Sequence, residues 1–218
     1  MKKLNIKKQD IIDIIKKRWW IVLLELAVVA IVLVADQLSK KYAFLEEDVD
    51  TIIPGLLNLL HEYNTGGGWS IFSDNMQGLT IITTIVVVGL FVFLLIAQKE
   101  SEWLRISIVF IAAGGIGKLI DRYASLKGDV DYYGVRDFIQ FAFWEEFPVF
   151  NVADSFVVIG AFLLIIVLVV MMVQEGKKSQ KQFEEEQAGK TEQPIVLNEE
   201  NTNIDAVDNA VEENNDKE

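Results

Sequence analysis

Four apolar stretches govern what this chain can fold into: residues 19–35, 79–97, 103–120 and 155–173. Each approaches or reaches the roughly 20 residues that a helix needs to cross a hydrocarbon layer of about 30 Å. The second and fourth carry no charge. The first contains Glu25 and the third is bracketed by Arg105 and Lys118, so these two need neighbours to be stable in lipid. Trp19, Trp20 and Trp103 occupy positions suited to interfacial aromatics. The expected fold is an all-α integral membrane protein with four transmembrane helices, joined outside by the long connections 36–78 and 121–154.

Lysine and arginine set the orientation. Lys2, Lys3, Lys7, Lys8, Lys16, Lys17 and Arg18 precede the first stretch, and Lys177, Lys178 and Lys181 follow the fourth. Both termini are therefore expected in the cytoplasm, with the two acid-rich connections outside. A cleaved signal peptide is the competing reading of the first stretch. That run is long, and ADQLSKKY follows it in place of a small-residue cleavage site, so an uncleaved span is expected. Residues 10–18 place four isoleucines among basic residues, which suits either a short helix on the inner leaflet or an extension of the first span. Residues 174–218 carry thirteen Asp and Glu against five Lys, and so supply −8 of the net charge of −12. That composition predicts a disordered acidic tail. No internal repeat is visible, which weighs against an inverted-repeat transporter.

Cysteine is absent and histidine occurs once, as His61. Thiolate chemistry and multi-histidine metal centres are thereby unavailable, and carboxylates, Lys or Ser must carry any catalysis. The ionisable residues gather at one membrane face. Asp36 and Lys40 end the first span, Lys118, Asp121 and Arg122 end the third, and Asp154 opens the fourth. Asp36 and Lys40 are spaced i, i+4, and Lys118 and Asp121 i, i+3, so each pair can share a helix face. Gly114, Gly115 and Gly117, beside Ala112 and Ala113, let another helix approach closely. They do not form a phosphate loop, because Leu119 follows Lys118 where Ser or Thr is required. Outside, in the segment 51–74, Pro54 and Gly55 break helix, and Asn64, Thr65, Gly66, Gly67 and Gly68 form a flexible turn; the segment is either a plain hairpin loop or one whose glycine amides bind an extended peptide backbone. The stretch 137–150, DFIQFAFWEEFPVF, offers an aromatic surface to lipid headgroups.

The order DQLSK, PGLLNL, NTGGGWS, GGIGKLIDR, VRDF and FNVADS resembles the lipoprotein signal peptidases, signal peptidase II, over residues 21–173. The resemblance implies a four-helix membrane aspartyl protease with a small extracytoplasmic β-like or loop subdomain. It further implies cleavage of diacylglyceryl-modified prolipoproteins just before the lipidated Cys, with no metal or cofactor. By the same resemblance, Asp137 and Asp154 are the catalytic pair, with Asp121 in reserve. Asp36, Lys40, Asn64, Asp121, Arg122 and Asn151 match supporting positions, and Gly66 and Lys118 join them as supporting or substrate-binding residues. The partners implied are the prolipoprotein substrate and membrane lipid, with no nucleic acid, for a monomer in the plasma membrane whose site opens outside. Three departures from the family pattern stand out: Lys118 stands for Asn, Gly67, Gly68 and Trp69 follow NTG in place of small residues and Phe, and Arg136 precedes Asp137 in place of an apolar residue. Two readings compete. One is a non-enzymatic membrane protein or proton or ion conduit. The other is a Ser/Lys hydrolase in which Lys118 activates Ser39, Ser70 or Ser155.

Overall fold

The computed structural model describes residues 8–44, 51–66, 75–97 and 100–191, with side chains described between Trp19 and Gln187 of that set. The chain divides into two units, residues 1–171 and 172–218. In order, the elements are α1 (Lys8–Ala43), β1 (Thr51–Ile53), β2 (Leu57–Asn64), α2 (Met76–Ile96), α3 (Glu102–Lys127), β3 (Val135–Phe141) and α4 (Val152–Thr191). All four helices contain segments long and apolar enough to cross a membrane: Trp19–Ala43, Met76–Ile96, Glu102–Lys127 and Val152–Gln187.

Helices α1, α3 and α4 outrun the apolar stretches. α1 is helical from Lys8, so residues 10–18 extend the first span, and it continues through Asp36 and Lys40 to Ala43. α3 passes Lys118, Asp121 and Arg122 and stops at Gly128, whose left-handed φ of 72° closes the helix. Apolar character ends where polar work begins, but nothing in either sequence breaks the backbone there. The charges expected at helix ends and loop starts are therefore held on helical turns. The tail expected to be disordered is helical as far as Thr191. There Gln180 donates to Glu184 at 3.1 Å and Lys181 pairs with Glu185 at 3.6 Å, both i, i+4 contacts that support an exposed helix. Residues 192–218 lie outside the described residues.

Within the first unit, Val29 and Val32 of α1, Leu94 of α2, and Leu104, Ile108, Val109 and Ala113 of α3 form one apolar cluster. Beside it, Arg105 pairs with Glu25 at 2.7 Å and donates to the carbonyls of Leu94 and Ala97, each at 2.9 Å. Arg105 thus ties α1 and the end of α2 to α3, which supplies the neighbour that both charges need inside lipid. The expected close approach at the glycines occurs. A Cβ on Gly114 would strike the Ala153 carbonyl, and one on Gly117 would lie 2.8 Å from Asp36 Oδ2 and 2.9 Å from Ala153 Cβ. Helix α3 can therefore lie against both α1 and the first turn of α4.

The three strands form an antiparallel sheet in the order β1-β2-β3. Gly55, at φ 74°, makes the hairpin between β1 and β2, closed by Leu56 N–H donating to Ile53 at 3.0 Å. β2 and β3 pair Leu57 with Phe141 and Asn64 with Val135, with an irregularity between Leu59 and Glu62. Phe150 then bridges to Ile139, exchanging hydrogen bonds of 2.8 and 2.9 Å. This bridge delivers Asn151 and the start of α4 beside β3.

Candidate active site

Asp137 sits in β3, opposite Glu62 of β2, and is buried. Its Oδ1 accepts from Asn151 Nδ2 at 2.6 Å and its Oδ2 from Asn64 Nδ2 at 3.0 Å. Each amide is oriented by a second bond: Gly66 N–H donates to Asn64 Oδ1 at 2.9 Å, and Asp154 N–H donates to Asn151 Oδ1, also at 2.9 Å. Asn151 caps α4 in this way, while its own N–H reaches back to Asp154 Oδ2 at 3.4 Å, a reciprocal cap. One three-residue spacing thereby fixes Asp154 at the helix start and aims Asn151 at Asp137.

Asp137 and Asp154 line one cavity of about 410 Å³ together with Asn64 and Lys118. Phe141, Phe147, Val158 and Ile159 give it an apolar flank. Burial, and then the charge of Asp154, push the Asp137 carboxyl up to about 7; the Asn64 hydrogen bond and the charges of Lys118 and Lys40 oppose them. Lys118 Nζ contacts Asp154 Oδ1. Asp137, in contrast, hydrogen-bonds two neutral amides.

The remaining charges form a second layer. Asp36 Oδ2 pairs with Lys40 at 2.8 Å, and its Oδ1 accepts from Ala153 N–H at 3.0 Å, which joins α1 to the first turn of α4. Lys40 also pairs with Asp121 at 2.9 Å, and all three side chains are fully buried. Asp121 further pairs with Arg136 at 2.8 Å and accepts from Tyr132 at 3.4 Å. Burial, and then the charge of Asp121, raise the Tyr132 phenol above its ordinary value, so it remains a donor. Arg122 donates to the Gly66 carbonyl at 2.8 Å and to Thr83 at 3.3 Å, holding the end of β2 against α2 and α3.

Several expectations change. The Lys118–Asp121 pair does not form, because Asp121 faces Lys40 and Arg136 while Lys118 faces α4. Asp121, locked between two cations, lines no part of the cavity around Asp137 and Asp154. Arg136 turns from Asp137 toward Asp121 and the Gln37 amide oxygen, the latter at 3.2 Å. The Ser39 and Ser155 hydroxyls donate to the carbonyls of Asp36 and Asn151, and Lys118 is engaged by Asp154, so a Ser/Lys arrangement is not built from them. Ser70, Gly67, Gly68 and Trp69 lie outside the described residues. Gln37 and Tyr132 were missed. Gln37 stands in the DQ pair and was legible there, whereas nothing local marks Tyr132. Among the described residues, no group of three or more His, Asp and Glu side chains is placed to hold a metal ion.

The sequence model described as signal peptidase (SPase) II matches residues 28–170. This chain belongs to the signal peptidase II family. The lipoprotein signal peptidase of Streptococcus pneumoniae is 34% identical over 142 residues, covering 63% of this chain and 88% of that protein. That of Staphylococcus haemolyticus is 31% identical over 153 residues, covering 68% and 92%. That of Enterococcus faecalis is 41% identical over 108 residues, covering 50% of this chain and 62%, less than two thirds, of that protein. A solved bacterial membrane enzyme superposes with a TM-score of 0.59 at 32% identity, over 66% of this chain and 87% of its own. A signal peptidase II is a membrane protease, and in this chain Lys118 stands against Asp154 in the cavity.

Proposed function

We propose that this chain removes the signal peptide of diacylglyceryl-modified prolipoproteins by cutting immediately before the lipidated Cys, with Asp137 and Asp154 as a catalytic pair. The observation that carries the reading is the placement of one buried, amide-bound carboxyl and one ion-paired carboxylate on the wall of a single cavity. Two carboxyls so placed share one proton. Asp154 takes a proton from water, the water oxygen bonds to the scissile carbonyl carbon, and Asp137 passes its proton to the carbonyl oxygen. The neutral diol then collapses. The C–N bond breaks, the proton held by Asp154 moves to the leaving amine, and Asp137 recovers one from the diol.

The supporting side chains have distinct tasks in this reading. Asn64 and Asn151 orient Asp137, Asp36 and Lys40 anchor the first turn of α4, and Arg122 fixes Gly66 beside the path of the peptide. The apolar flank of the cavity suits a lipid-anchored substrate. The peptidase domain is assigned to residues 19–173, preceded by the basic segment 1–18 and followed by the acidic segment from 174, with both termini in the cytoplasm and the cavity open outside. It acts as a monomer in the plasma membrane, on no nucleic acid.

Purified protein is expected to cleave a diacylated prolipoprotein peptide and not its unlipidated form. Asp137→Asn and Asp154→Asn each lower kcat by about 10²-fold or more without loss of the folded state, checked by thermal unfolding. Full activity in either variant sinks the pair.

A further inference from the structure

We propose that Lys118 is a positioning residue that makes the two carboxylates unequal: its ammonium keeps Asp154 as the charged partner and leaves the proton on Asp137. The proposal rests on the aspartyl reading above. It comes from where the cations around the site are spent. Lys40, from α1, is held by Asp36 and Asp121. Arg136, from β3, is held by Asp121 and Gln37 and stacks over the Tyr132 ring at 5.0 Å. Arg122, from α3, donates to Gly66 and Thr83. Among the described residues, Lys118 is the cation whose ion pair is with a member of the dyad, and it lines the same cavity. Glu62, from β2, is the further carboxylate on that wall.

The asymmetry is built at Asp154 by its contacts and at Asp137 by burial. Asp154 meets Lys118 with one oxygen and the Asn151 N–H with the other, and both contacts suit a carboxylate. Asp137 meets two amides whose oxygens are engaged elsewhere, so its own proton must point into the cavity. That is the direction in which a scissile carbonyl would approach. A neutral residue at 118 would remove both the contact that holds Asp154 charged and the positive charge that opposes proton uptake at Asp137. A cation there fixes the place of the shared proton and draws the working range toward lower pH, since a nearby positive charge favours the ionised form of Asp137.

The test uses the full-length protein in detergent micelles and compares Lys118→Asn, Lys118→Met and Lys118→Arg with wild type. The first readout is the pH profile of kcat/KM on a diacylated prolipoprotein peptide. The bell is expected to move up by about one pH unit in the Asn and Met variants and to return in the Arg variant. The second is the carboxyl 13C titration of Asp137 in uncleaved, substrate-free protein, whose midpoint rises in the Asn and Met variants. Cleavage with an unmoved bell and an unmoved midpoint overturns the role of Lys118 and leaves the peptidase reading intact. A raised midpoint in protein that cleaves nothing upholds the Lys118 effect and overturns the peptidase reading.

Discussion

Asp137 meets its neighbours through two side-chain amides, Asn64 and Asn151, whose oxygens are already committed to backbone N–H groups. Those donors favour the charged carboxylate, yet burial and the charge of Asp154 outweigh them and bring the group up to about 7. A folded-state value above the unfolded one contributes stability that is fully present below the unfolded value and is lost as pH rises through about 7. Asp137→Asn removes this dependence. It also adds a roughly constant penalty, because the new NH2 must face one of the two donors. The stability of the variant relative to wild type is therefore expected to rise between about pH 4 and pH 7, by at most about 4 kcal/mol. Thermal unfolding at several pH values reads the slope directly. A flat difference would mean that Asp137 ionises as readily in the folded protein as in the unfolded chain.

At the scale of elements, the site depends on how closely α3 approaches its neighbours. Gly117 is where α3 passes the Asp36 carboxylate of α1 and Ala153 of α4, and a methyl group there would overlap both. Asp36 cannot yield easily, since Lys40, Gln37 and the Ala153 N–H all hold it. Gly117→Ala is expected to cost about 1–3 kcal/mol and to lower cleavage, because shifting α4 displaces Asp154 with its cap. Gly89→Ala in α2, where a Cβ meets nothing within 4 Å, is the control and should leave activity unchanged and thermal unfolding no lower than wild type. The glycine cluster was legible as a packing device from small-residue spacing alone. Its consequence for Asp36 was not, because that contact joins residues about eighty positions apart. The Lys118 pairing failed for the same reason. Helical spacing offers Asp121 as a partner, but cross-helix contacts with Lys40 and Arg136 claim that carboxylate first. Strand β3 carries an apolar and charged mixture that marks no element, and its place comes from pairing with β2 and the Phe150 bridge.

At the scale of the whole molecule, apolar length set the number of spans, and Lys and Arg outside them set the expected orientation. Helix bounds were less legible, since polar residues that serve the site sit within continuous helices. The catalytic reading requires Asp137 and Asp154 to face the compartment where lipid-modified substrate is cut, opposite the basic ends of the chain. The absence of cysteine makes this directly measurable. Glu145, between β3 and α4, and Ser179, beyond the apolar part of α4, are both exposed, so a single cysteine at either site is reachable by solvent. In intact cells a membrane-impermeant maleimide is expected to label Glu145→Cys at once, and Ser179→Cys only after the membrane is opened. With seven basic residues before the first span and three soon after the fourth, reversal would leave both clusters on the side that Lys and Arg disfavour. Labelling of Ser179→Cys in intact cells would place the carboxylate cavity on the cytoplasmic face, where a peptidase acting on exported lipoproteins has no substrate to meet.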